Sequence, residues 1–209
     1  MKLHDLRQQY KKGTINEIQL PENPIIFFKE WFNEAIQFHQ FEANACVLST
    51  VAGNRPSSRV ILLKEIDLKG FVFFTNYISR KGMELSQNPF ATLNFFWPDL
   101  ERQVRIEGKV TKIEPDESDR YFISRPIESQ VSAIISPQSS LIESKDELLQ
   151  RRLGFLSKGA DIQRPEHWGG YCLTPDYFEF WQGGADRLHD RIIYSIKNES
   201  QWQKNRLAP

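Results

Sequence analysis

Between residues 46 and 113 the chain reads as five strand-length runs, each closed by turn-forming residues, and this succession constrains the fold most strongly. Cys46–Val51 is short and apolar. A turn at Gly53–Pro56 leads into Ser58–Ile66, and Lys69-Gly70 turns the chain into Phe71–Thr75. Ala91–Trp97 precedes a turn at Pro98-Asp99, and Gln103–Ile113 follows. That last run alternates, with Val104, Ile106, Gly108 and Val110 on one face and Arg105, Glu107 and Lys109 on the other. The connections among the first three runs are short enough for antiparallel hairpins, so their spacing predicts a meander.

Helical signals surround the strands. Asn23 is suited to cap a helix with Pro24 in its first turn, and Phe28, Trp31, Phe32, Ala35 and Ile36 recur at helical spacing on one core-facing side. Ser79 caps a short helix over Arg80–Gln87. Pro115-Asp116-Glu117 opens another helix that runs to about Arg125, where Pro126 ends or kinks it. Glu143–Ser157 is helical and closes at Gly159. Strands resume at Tyr171–Leu173, Tyr177–Gln182, Leu188–Ile196 and Trp202–Leu207. Residues 1–20 are polar and without period, and are expected to form a flexible arm; residues 21–209 form one domain without repeat or linker. The fold class expected is mainly β with peripheral helices (α+β), a β-barrel with helices outside it.

Composition excludes several functions. Lys plus Arg and Asp plus Glu each number 27, so the formal charge is zero and nothing marks a non-specific nucleic-acid binder. The only cysteines, Cys46 and Cys172, are far apart in apolar runs, which argues against a disulfide framework or a metal cluster. The opening Met-Lys-Leu-His-Asp-Leu-Arg lacks the apolar core of a signal peptide, and no run approaches the ~20 apolar residues of a membrane span. The cytoplasm is the expected compartment.

Residues 178–191 carry the strongest chemical signal. An aromatic run ending in Trp181-Gln182 meets Gly183-Gly184, and Arg187, His189 and Arg191 then follow at alternate positions. In an extended strand these three would share a face beside the Trp181 indole, a surface suited to a flat phosphorylated ligand. Ser79-Arg80-Lys81 places two cations at a helix N-terminus, a natural anion site. Arg59-Val60-Ile61-Leu62-Leu63-Lys64 has a cation at each end, on opposite faces of a flat strand unless a bulge intervenes. Tyr121 and Arg125 are four apart on one helical face, and Ser129 would extend it if Pro126 did not interrupt the helix. Gln103 and the polar loop Ser136–Ser140 offer further amide and hydroxyl groups. Metal-protease, phosphate-loop, serine-hydrolase and dinucleotide fingerprints are all absent. Hard chemistry is therefore left to a bound cofactor.

Taken together these segments resemble the pyridoxine/pyridoxamine 5′-phosphate oxidase family, from Leu6-Arg7-Gln8-Gln9-Tyr10 to Arg206-Leu207-Ala208-Pro209. Glu179, Phe180, Trp181, Gln182, Arg187, His189, Asp190 and Arg191 fit its C-terminal signature, and the Arg59–Lys64, Ser79–Lys81 and Gln138-Ser139 segments agree in the same order. The resemblance implies an FMN-binding split β-barrel, a homodimer, and one FMN per subunit at the dimer interface. The matching FMN positions are Arg59, Val60, Ile61, Leu62, Leu63, Lys64, Phe74, Thr75, Arg80, Lys81, Gln103, Gln138, Ser139, Trp181 and Arg191. The matching substrate positions are Lys64, Tyr121, Arg125 and Ser129 for the phosphate, Arg187, Leu188 and His189 over the ring, and Arg7 and Tyr10 in a covering N-terminal element. Arg187 and His189 match the catalytic positions, and no metal is implied. Phe74 departs from the pattern, since some relatives have Tyr there. The implied reaction is oxidation of pyridoxamine or pyridoxine 5′-phosphate to pyridoxal 5′-phosphate, with O2 reduced to H2O2. A split-barrel flavoenzyme with another substrate, and a non-catalytic carrier of FMN or pyridoxal phosphate, are the competing expectations.

Overall fold

The computed structural model describes residue 4 and residues 9–38, 42–157, 159, 161–198 and 201–209. Among them nine strands form one antiparallel sheet: β1 (Ala45–Ala52), β2 (Arg55–Leu62), β3 (Glu65–Ile66), β4 (Phe71–Asn76), β5 (Phe90–Trp97), β6 (Arg102–Lys112), β7 (Trp168–Gln182), β8 (Asp190–Asn198) and β9 (Gln201–Arg206). Of the five described α-helices, α1 (Pro24–Phe38) precedes β1, α2 (Arg80–Gln87) follows β4, and α3 (Pro115–Ser124), α4 (Ile127–Ile135) and α5 (Lys145–Ser157) lie between β6 and β7. None of the described helices is long and apolar enough to cross a membrane.

The strand order is β2-β1-β5-β6-β7-β4-β3, with β8 also on β7 and β9 on β8. β2 and β3 sit at opposite ends of this path, yet only Leu63 and Lys64 connect them. The Leu63 N–H donates to Asn44 O at 2.9 Å, and the Lys64 N–H donates to Val72 O at 2.8 Å. Two residues can bridge the ends of a sheet only if it curls back on itself, so this crossing closes the barrel. The single run expected over Ser58–Ile66 is thus broken at the crossing, which also settles how Arg59 and Lys64 can serve different neighbours.

α1 plugs the barrel with its apolar stripe. Phe28 is fully buried, with its ring 5.0 Å from both Phe71 and Phe95, and Phe27 lies 4.3 Å from Phe180. The Asn23 side chain accepts from the Ile25 N–H at 2.9 Å, the cap its position suggests. The β1–β2 hairpin turns on Gly53 and Asn54, both with left-handed φ (54° and 63°), the geometry a two-residue loop requires.

Several expectations need correction. β7 is one strand of 15 residues, where the sequence suggests two strands interrupted by Pro175. The register against β6 jumps between Glu107 and Gly108, leaving Asp176 as the extra residue, so the proline falls at a bulge. A Cβ on Gly108 would stand 2.1 Å from Thr174 O, which keeps that position glycine. The chain also re-forms a helix, α4, directly after Pro126. Residues 9–20 are docked where a flexible arm is expected. Lys11 and Lys12 N–H donate to Glu101 Oε2 at 2.8 and 2.9 Å, the Ile15 N–H donates to Asp190 Oδ2 at 2.8 Å, and Ile15 and Leu20 are buried.

Candidate active site

The first group of site residues gathers at the N-terminus of α2. Ser79 caps this helix, its Oγ accepting from the Gly82 N–H. From β2, the Arg59 guanidinium donates to Leu48 O, to Thr50 Oγ1 at 2.6 Å, to Ser57 Oγ and to Glu84 Oε2 at 2.8 Å. Arg80 Nε donates to the other Glu84 oxygen at 2.8 Å. Lys81 Nζ lies 3.1 Å from both Thr75 Oγ1 and Gln138 Oε1. Ser139 follows Gln138 with left-handed φ 73°. Burial, then the charge of Arg59, lowers the Lys81 ammonium pKa. Among the described residues Glu84 is the carboxylate that bonds Arg59 and Arg80, while Lys81 bonds neutral oxygens, so the three cations outnumber it. Burial tends to raise the Glu84 pKa, but its bonds to Thr50, Arg80 and Arg59 prevail and hold it at about 2.

A second group stands on the neighbouring face of β4 and the α3–α4 corner. Phe74 stacks on Tyr121 (3.8 Å, 20°), and both planes lie nearly parallel to Trp168 (17° and 4°). The Arg125 guanidinium carbon sits 4.6 Å over the Trp168 ring. Arg125 Nη1 is buried and has no hydrogen-bond partner among the described residues. It borders a cleft of about 220 Å³ shared with Asn76, Ser136 and Gln138, while Lys64, Phe74 and Tyr121 line an adjacent cleft of about 340 Å³. Arg125 ends α3 rather than continuing it, and Ser129 belongs to the first turn of α4, so the two do not share one helix face. Pro126 causes this break, since the residue before proline is driven out of helical geometry; Arg125 has ψ 152°.

The third group lies at the other end of β7. Gln103, Trp181 and Arg191 are cross-strand partners on β6, β7 and β8 and share one face. Arg191 Nε donates to Glu179 Oε1 and its Nη1 to Ala208 O, both at 2.8 Å. The Tyr10 ring meets Trp181 and His189 edge-on, each at 5.4 Å.

The sequence expectation that Arg187, His189 and Arg191 share the face of one strand is overturned. Gln182 already pairs with Asp190, so residues 183–189 form the connection between β7 and β8, and only Arg191 is in the strand. Asp186 and Arg187 take left-handed backbone (φ 53° and 64°), and the chain folds back until a Cβ on Gly184 would meet Leu188 O at 2.2 Å. Arg187 and Leu188 are exposed on this loop. His189 is fixed by it instead: the Gly184 N–H donates to Nδ1 at 3.1 Å, which leaves the ring proton of neutral His189 on Nε2.

Of the remaining cofactor positions, Val60 is exposed on edge strand β2, Ile61 and Leu62 are partly covered, and Leu63 is buried. Arg7 lies outside the described residues. Sequence reasoning passes over Glu84 and Trp168, and names Glu179 in the C-terminal signature without giving it a role. The i,i+4 spacing of Arg80 and Glu84 was a usable signal. Glu179 and Trp168 depend on strand register, which no local pattern displays.

A curled antiparallel barrel, with a cationic cluster at a helix N-terminus and nearby a guanidinium whose buried Nη1 has no partner among the described residues, defines a split-barrel protein. Residues 30–152 match the family model described as pyridoxamine 5′-phosphate oxidase, and residues 168–209 match the C-terminal dimerisation region of pyridoxine 5′-phosphate oxidase. The chain belongs to the pyridoxamine 5′-phosphate oxidase family. Curated relatives named pyridoxine/pyridoxamine 5′-phosphate oxidase include those of Actinobacillus succinogenes (50% identical) and Janthinobacterium sp. (48%), each covering 100% of both chains. Among solved structures, PhzG of Burkholderia lata, in complex with tetrahydrophenazine-1-carboxylic acid, superposes with TM-score 0.89 at 30% identity, covering 97% of this chain and 100% of that one. A pyridoxamine 5′-phosphate oxidase-related, FMN binding protein of Nostoc punctiforme shares the fold at TM-score 0.71 and 16% identity, covering 91% of this chain and 100% of that one.

Proposed function

We propose that this protein is an FMN-dependent oxidase of the cytoplasm that converts pyridoxamine or pyridoxine 5′-phosphate to pyridoxal 5′-phosphate while reducing O2 to H2O2. The observation that carries the reading is the pairing of two anion-seeking corners on adjacent faces of β4: the Arg59–Arg80–Lys81 cluster and the bare buried Nη1 of Arg125. Such a pair suits a cofactor phosphate and a substrate phosphate held side by side. The names of relatives about half identical over the full length support the same substrate class.

The residues present fit FMN. Arg59, Arg80, Lys81 and the N–H groups opening α2 suit its phosphate. The family resemblance assigns residues 60–64, Phe74, Thr75, Gln138 and Ser139 to the cofactor as well, the Leu63 side chain itself being buried in the core, and Gln103, Trp181 and Arg191 suit the ring system. FMN bound there supplies a two-electron acceptor that O2 can reoxidise. Lys64, Tyr121, Arg125 and Ser129 hold the substrate phosphate. Arg187 restrains the substrate ring and stabilises negative charge near the reacting carbon, and Leu188 packs beside it. Its left-handed backbone is the sort of strain that a functional loop retains. His189 offers an Nε2–H donor and orients the substrate; with Nδ1 occupied it is not the base. Tyr10, whose ring meets Trp181 and His189, covers the site. Holding two flat rings in contact removes as much as ~7–11 kcal/mol of barrier in the best cases.

The homodimer completes the site. In one chain the α2 and Arg125 corners lie near the start of β7 and the Trp181 group at its end, on the order of 40 Å apart along the strand. A second copy brings the end of one β7 to the start of the other. Peroxide production by the FMN-reconstituted protein with each vitamer phosphate tests the reading; silence with both refutes it. The likeness to PhzG favours tetrahydrophenazine-1-carboxylic acid as the second substrate to assay.

A further inference from the structure

We infer that Trp168 is a positioning residue that presents Arg125 and Tyr121 together to the substrate's phosphate; this rests on the function proposed above. Four observations converge on it. Arg125 lies over the Trp168 ring at 4.6 Å, so one guanidinium face is pinned while Nη1 keeps no hydrogen-bond partner among the described residues. Tyr121 is nearly parallel to Trp168 (4°, 6.2 Å), with Phe74 stacked on both. Trp168 is itself only 6% exposed, yet its indole closes the cleft that Arg125 borders.

Trp168 is also anchored by its backbone. Its N–H donates to Pro165 O at 2.9 Å, and its carbonyl accepts from Arg164 Nη1 at 2.7 Å, while Arg164 Nε grips Asp119 of α3 at 2.6 Å. Arg164 therefore ties the indole to the helix that carries Tyr121 and ends at Arg125. On the other side, Gln130 Nε2 donates to Arg125 O at 2.7 Å and holds the corner between α3 and α4. Trp168 opens β7 opposite Asn76 of β4, next to Thr75 of the cofactor corner. One ring thus sets the spacing between the phosphate-binding guanidinium and the strand shared with the cofactor. A flat indole face holds a planar guanidinium without using its N–H groups, so the donors stay free for an anion.

Equilibrium dialysis of FMN-loaded protein against pyridoxal 5′-phosphate, and against unphosphorylated pyridoxal, tests the assignment. Trp168→Leu should weaken binding of the phosphate ester about tenfold, with little change for pyridoxal, whereas Trp168→Phe should stay within about threefold of wild type. In an Arg125→Leu background Trp168→Leu should cost nothing more, because its effect runs through Arg125. Unchanged binding by Trp168→Leu, equal loss for both ligands, or losses that multiply in the double variant would each overturn it. Should Trp168→Leu not fold, inorganic phosphate must still alter the indole fluorescence of wild type and not that of Trp168→Phe; an identical response refutes the role. Tight binding of pyridoxal 5′-phosphate with no peroxide formed from either pyridoxamine or pyridoxine 5′-phosphate would instead sink the proposed function and leave the assignment standing.

Discussion

Glu84→Gln separates the charge of the α2 cluster from its shape. The carboxylate is 7% exposed and accepts from Thr50 at 2.5 Å and from Arg59 and Arg80 at 2.8 Å. Burial raises its pKa, but the hydrogen bonds prevail, and the value falls from 4.5 to about 2. At ~1.4 kcal/mol per pH unit the shift corresponds to roughly 3 kcal/mol, and to about 2 once the exposure of Arg80 is discounted. Because the folded-state pKa is depressed, this stability is fully present above pH ~4.5 and is lost as pH falls toward 2. Glutamine keeps the volume but brings in an amide beside two guanidinium groups. Urea unfolding at fixed protein and FMN concentration should show Glu84→Gln less stable by about 2 kcal/mol at pH 7, with the gap narrowing between pH ~5 and ~3. Equal stability at pH 7, or a gap that does not narrow in acid, would refute the assignment of this carboxylate as the counter-ion of the cluster.

Arg187→Leu should slow reduction of bound flavin severely in single-turnover mixing while leaving FMN content intact; an unchanged rate removes Arg187 from the chemistry. Arg125→Ala should raise the apparent substrate constant about 10- to 150-fold, the worth of a charged hydrogen bond of ~1.5–3 kcal/mol, and steady-state kinetics with the phosphorylated vitamers read it. Gly82→Ala places a Cβ 2.1 Å from Tyr77 O and must shift the start of α2, so both thermal stability and FMN affinity should fall in melting and flavin-fluorescence titrations. An alanine variant with wild-type values would show that the helix start is not held where the structure has it.

Legibility in the sequence followed the range of the interactions. Asn23 and Ser79 announce α1 and α2 because capping is decided within three residues. β5 and β6 are visible because their alternation reports one buried face. The crossing at Leu63-Lys64 was hidden, since it is a property of sheet closure and the residues look like more strand. The end of the loop, Arg187–His189, looks like strand for a similar reason: alternate cations imitate a strand face, and only the Gln182–Asp190 pairing shows that the chain is still turning there. The cationic site residues stood out by residue type. Trp168 and Glu179 did not, because each acts through an arginine that is distant in sequence.

Anaerobic mixing of FMN-loaded protein with pyridoxamine 5′-phosphate asks whether the two phosphate grips hold a reducing substrate against the flavin. The account predicts that the yellow colour bleaches on mixing and returns when O2 is admitted, with peroxide formed in step. A flavin that stays yellow under excess substrate would contradict it.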